Sequence, residues 1–258
     1  MPTKLVFSPT LAARAARVVF VGRQGELTKV VAPPAAVFSH LSDVVEDAGA
    51  ASDLCKAVLS TVRADGSPHS GATTSVTIPV LSNSSSSSSS DGEQDTAPLP
   101  YVRVCFLVTP TASTRFNSVV RPDVITRGAK SFVTTEGSTG PETLQVVYVL
   151  PDEEHKSATH NAMCLTAACA IARALPTYTR KGNSTETGSR LTAHVAFCKP
   201  DGTPYGDAAL YEKVAAVADS VRLTASLVDT PCNEMHSAIF AKTALEVASS
   251  LPNVETEE

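Results

Sequence analysis

Six short, β-branched-rich runs recur along the chain, at residues 5–7, 18–21, 76–80, 102–108, 144–150 and 193–197, each bounded by turn residues. Between them lie patterns of helical spacing: Val37, Leu41, Val44 and Val45, then Leu54, Val58 and Leu59, and later a stretch dense in Ala and Cys at 158–175. Strands repeat every two residues and helices every 3.6, so the two patterns do not substitute for each other. Strands that alternate with helices predict an α/β domain, a mixed sheet covered by helices. Small side chains at 158–175 allow a backbone to approach a sheet closely, which marks that stretch as a covering helix. At 258 residues, with 43% hydrophobic and 18% charged, the chain can bury a sizeable core and lacks the composition of a disordered one.

The alternation breaks at 82–98, where Asn83 is followed by an unbroken serine run at 84–90 and then by Asp91, Gly92, Glu93, Gln94 and Asp95. Such a segment has nothing to bury and is predicted to be a disordered insertion within an N-terminal domain spanning 1–200. Loop closure costs entropy only slowly with length, so the runs at 73–80 and 101–109 are expected to be neighbours despite it. After the turn-rich Lys199-Pro200-Asp201-Gly202-Thr203-Pro204 the pattern changes. A long helix is predicted over 207–228, carried by Leu210, Val214, Val217, Val221, Leu223 and Leu227, and Pro231 stops it. A second helix follows at 237–249 with Ile239, Phe240, Leu245 and Val247. Two helices after an α/β domain read as a connector, 207–258, toward a further domain.

The 21 Lys and Arg against 26 Asp and Glu leave a net charge of −5, so no overall positive field favours nucleic acid or an anionic membrane. Apolar runs such as 102–108 are far shorter than the ~20 residues of a membrane-spanning helix. Cys55, Cys105, Cys164, Cys169, Cys198 and Cys232 lack disulfide-framework or zinc spacing, and are expected to be reduced thiols of a cytoplasmic protein. Lys4, Arg14, Arg17 and Arg23 precede the first acid, Glu26. Presequences share that basic pattern, but RVVFVG at 17–22 reads as a core strand.

His160 and Cys164 share a helix face, yet Cys169 points elsewhere and a zinc site needs three or four converging ligands. Packing of a small-residue helix is the better reading. The acids of Asp152-Glu153-Glu154-His155 suit the positive end of the helix that follows. Arg115, Arg121, Arg127 and Lys130 form a basic stretch in a region read as loop, more a solvated face than an anion site. Phosphate-loop and nucleophile-elbow motifs are absent. No catalytic, metal or cofactor-binding residue is assigned.

Residues 221–235 read VRLTASLVDTPCNEM. This string resembles the connector of the leucyl aminopeptidase family, the cytosol aminopeptidase-like two-metal exopeptidases, which runs roughly V-R-L-A-R-x-L-V-N-T-P-P-N-E-M. Asp229 stands for the usual Asn, Cys232 for the second Pro, and His236 where Thr commonly opens the next helix. The match covers about 221–240; the residues alone explain only a proline-stopped helix with Asn233 able to cap the turn locally.

The resemblance implies a macro-like N-terminal aminopeptidase domain followed by a connector. Complete family members release N-terminal amino acids from peptides with two divalent metal ions, zinc or manganese. Their lysine, aspartate and glutamate ligands lie in motifs like D-[S/T]-G-G and N-T-D-A-E-G-R-L, which do not occur here. The expectation is therefore a non-catalytic N-terminal portion, inactive alone, that lacks the metal-binding half. Its implied partners are the catalytic domain of the same or another subunit and, in the complete protein, a homo-hexamer. The competing expectation is a stand-alone α/β binding or regulatory module; a nucleotide-derivative-binding domain is weaker, for want of a glycine-rich loop.

Overall fold

The structure is a computed structural model and describes residues 3–12, 15, 17–32, 48–62, 71–79, 101–111, 118–133, 143–152, 157–175, 191–252 and 254–255. In chain order the elements are β1 (Lys4–Phe7), β2 (Arg17–Gly22), α1 (Gln24–Val30), α2 (Ala48–Thr61), β3 (Ala72–Pro79), β4 (Tyr101–Val108), α3 (Pro122–Val133), β5 (Thr143–Val149), α4 (Ser157–Ala174), β6 (Thr192–Cys198), α5 (Ala208–Asp229) and α6 (Ser237–Ser249). All six expected strand runs are strands. The serine-rich stretch and the pattern at Val37, Leu41, Val44 and Val45 lie outside the described residues.

The strands form one sheet in the order β1-β6-β5-β2-β4-β3. Neighbours are parallel except β3, which runs antiparallel to β4 with Thr73 opposite Leu107 and Thr77 opposite Arg103. The sheet is therefore mixed, and the strands flanking the serine-rich stretch are neighbours as expected. β2 lies at the centre and is buried at all six positions, as a parallel strand covered on both faces must be.

Alternate residues of the central strands build two cores. Val18, Phe20, Val104, Phe106, Val147 and Val149 face α1 and α2, meeting Leu27, Val30, Cys55 and Leu59. Phe20 and Phe106 stack at 5.8 Å between ring centroids. On the other face Val19, Val21, Cys105, Leu107, Val146 and Val195 meet Val124 and Ile125 of α3, Cys164, Ala167, Ala168 and Ile171 of α4, and Leu210 and Val214 of α5. The Ala- and Cys-rich helix covers the sheet as its small residues predict. It is also bonded to α3, where Thr126 Oγ1 donates to the Ala170 carbonyl at 3.0 Å.

Candidate functional site

α5 begins where Asp207, in extended backbone, accepts a hydrogen bond from the Leu210 N–H at 2.8 Å. Its inward stripe, Leu210, Tyr211, Val214, Ala218, Arg222 and Ala225, is buried, which follows the 3.6-residue period. Polar groups on this stripe are matched rather than left dry. Tyr211 Oη accepts from the Phe197 N–H at 3.1 Å and donates to the Tyr205 carbonyl at 3.2 Å. Arg222 Nε donates to the Leu175 carbonyl at 3.0 Å and its Nη2 to the Thr3 carbonyl. Near the helix end Arg173 of α4 holds both oxygens of Asp229, at 2.9 and 3.2 Å. That fork needs a carboxylate, so the acid found where the family carries Asn joins the connector to the α/β body.

The helix stops at Thr230-Pro231. The turn beyond it is closed by the backbone, with the Glu234 and Met235 N–H groups donating to the Pro231 carbonyl at 2.9 and 2.8 Å. The sequence suggested that Asn233 caps this turn; the backbone does so instead, and His236 holds the cap position of α6 without a side-chain bond.

The turn folds α6 back beside the end of α5. Phe240, Thr243, Ala244, Val247, Ala248 and Leu251, one helical face, meet Leu223 and Leu227 across an apolar groove of about 290 Å³. The groove is open to solvent. No described residue of α6 is buried, while Phe240 is 52% exposed, Leu251 50% and Val228, just outside the groove, 75%. A contiguous apolar surface of this kind marks an interaction site. It is the strongest functional feature on the connector.

The other sequence candidates fare differently. His160 packs edge-on against Tyr205 at 5.6 Å. The Cys164 thiol is fully buried, which pushes its pKa up to about 12. Among the described residues no group of three or more His, Cys, Asp or Glu is placed to hold a metal ion, so these side chains do not fit a two-metal centre. The basic stretch read as a loop is corrected: Arg127 and Lys130 lie within α3, and Arg121 is wholly buried just before it at φ 54°. Arg121 forks onto Asp123 at 3.3 Å, and Arg127 Nη2 donates to the same carboxylate at 3.2 Å. Asp123 thereby neutralises charge that the sequence left to solvent; Arg115 lies outside the described residues.

Open α/β sheets take ligands at the C-terminal strand ends where neighbouring connections leave for opposite faces, here between β2 and β5. At this point the strands close on each other: a Cβ added to Gly22 would sit 3.2 Å from Val149 Cβ. Lys29 and Asp152 pair from the loops and helix beyond.

No family model matches the chain. In sequence it is similar to the probable aminopeptidases NPEPL1 of mouse, 33% identical over 87 residues, and of human, 34% over 92 residues. These matches take in 33% and 35% of this chain, and only 16% and 17% of those proteins. Among solved structures, leucyl aminopeptidase from Leishmania major in complex with actinonin superposes over 96% of this chain and 40% of its own, with TM-score 0.63 and 19% identity. Leucine aminopeptidase from Caenorhabditis elegans gives the same coverages and TM-score at 16% identity. An M17 aminopeptidase from Trypanosoma brucei covers 96% of this chain and 41% of its own, with TM-score 0.61 and 21% identity. The chain thus spans about two-fifths of the structures it matches. In fold, and in local sequence, it resembles the N-terminal domain and connector of the leucyl aminopeptidases.

Proposed function

We propose that this chain is the N-terminal, non-catalytic portion of a leucyl-aminopeptidase-like metalloexopeptidase that releases N-terminal amino acids from peptides. The observation that carries the reading is the open apolar groove between α5 and α6, with an α6 that has no buried residue among those described. In this reading 1–200 is the α/β domain, and 207–258 is the connector whose groove packs on the catalytic domain. The two divalent ions, zinc or manganese, belong to that catalytic domain, and the complete protein assembles as a homo-hexamer. All six cysteines are free, as in a reducing compartment, which supports a cytoplasmic location.

Two measurements test this. The 258-residue chain, supplied with Zn²⁺ or Mn²⁺, is expected to release no leucine from leucyl peptides; metal-dependent release that survives repurification overturns the reading. The denatured intact mass of the endogenous protein is expected at roughly two and a half times the 26.9 kDa of these residues. A mass of 26.9 kDa would instead favour a stand-alone binding or regulatory module.

A further inference from the structure

A second cleft, remote from the connector, has mostly polar walls. It lies where the end of α3 meets the starts of β2 and β4, and Arg17, Thr73, Ser75, Arg103, Cys105 and Ser131 are among the residues that enclose its roughly 230 Å³. The sheet register explains the convergence. Arg17 pairs with Arg103 on the parallel strands β2 and β4, so both side chains leave the same face. Ser75 and Thr73 pair with Cys105 and Leu107, two and four residues on from Arg103, and therefore share that face.

The two guanidinium groups have different roles. Arg17 is buried and its Nη1 donates to the Phe132 carbonyl near the end of α3, where the helix dipole is negative. Arg103 is exposed, and its Nε and Nη2 both donate to Ser75 Oγ, at 3.3 and 3.1 Å. That contact sets the plane of the guanidinium, and among the described residues Nη1 has no hydrogen-bond partner. Because Ser75 Oγ acts as acceptor, its own proton remains available to donate. The Cys105 thiol lies two residues on from Arg103 on the same face, and burial raises its pKa to about 11 while Arg103 and Arg17 pull it down. Among the described residues that line the cleft none is acidic. An exposed guanidinium with hydroxyl donors beside it suits an anion, and the planar arginine group fits tetrahedral oxyanions.

We propose that this cleft binds a phosphate group, as free orthophosphate or as a phosphomonoester, with Arg103 as its principal ligand and the Ser75 and Thr73 hydroxyls as further donors. The inference is independent of the aminopeptidase reading. Thermal unfolding of the full chain, titrated with orthophosphate or with phenyl phosphate against sodium chloride of matched ionic strength, tests it. A saturable rise of about 2–4 °C is expected with at least one of them, and which one identifies the source. Arg103→Ala should abolish the rise, and Arg103→Lys, which keeps the charge but not the fork, should weaken binding on the order of tenfold. No rise above the chloride control with either probe, or a rise unchanged in Arg103→Ala, overturns the proposal.

Discussion

Arg222 is buried, and its guanidinium donates to two carbonyls distant in sequence, Leu175 and Thr3. Arg222→Ala strands both acceptors and should destabilise the chain by about 2–3 kcal/mol, read as a shifted urea midpoint. Arg222→Lys should recover little, since an ammonium lacks the fork that reaches both. The cysteines make a second residue-scale prediction. Burial raises Cys55, Cys164 and Cys198 to about 12 and Cys105 to about 11 from an ordinary 9.0. Below pH 9 folded and unfolded chains both keep these protons, so the four thiols leave stability unchanged. Between pH 9 and about 11 to 12 the unfolded chain alone loses them, so stability falls as pH rises. Urea midpoints should therefore agree at pH 7 and 8 and drop at pH 10. A thiol reagent on the native chain should label exposed Cys232 rapidly and half-buried Cys169 slowly, and the other four only on unfolding.

At the scale of elements, α5 shows how local chemistry and tertiary contact combine. Asp207 satisfies an N–H that the first helical turn leaves unpaired, so Asp207→Ala should cost about 1 kcal/mol, measured by the same midpoint. Its helical period, the Pro231 stop and the α6 span were legible because period and proline are local signals. Two elements were not. α1 has seven residues, too few to display a period. α3 carries Arg127, Gly128 and Lys130 among its apolar positions, and its helical state rests on packing: a Cβ on Gly128 would lie 2.3 Å from Leu107 Cδ1, so glycine brings the helix down onto β4. Intrinsic propensity disfavours glycine there, and the tertiary contact overrides it.

For the molecule as a whole, the balance of buried and open apolar surface decides behaviour. One helix layer covers each face of the sheet, whereas the α5–α6 groove is open. The chain on its own should therefore bind an apolar dye and self-associate, as sedimentation velocity would show. Leu227→Glu combined with Phe240→Glu should suppress both without lowering the urea midpoint, because neither side chain belongs to the two cores. An unchanged dye signal would locate the sticky surface elsewhere. By itself the sequence determined the α/β class, the strand runs, the covering helix and the kinship carried by 221–240, because periodicity, turn residues and a contiguous motif are properties of neighbours along the chain. Only the tertiary structure decided the strand order, the burial of Arg121, the Arg173–Asp229 clamp and the pairing of Arg17 with Arg103. Each of these joins residues through space, and Arg121 alone among them has its chief partner, Asp123, close by in sequence. Even there the burial that makes the pairing matter comes from the packed core, a quantity no local pattern encodes.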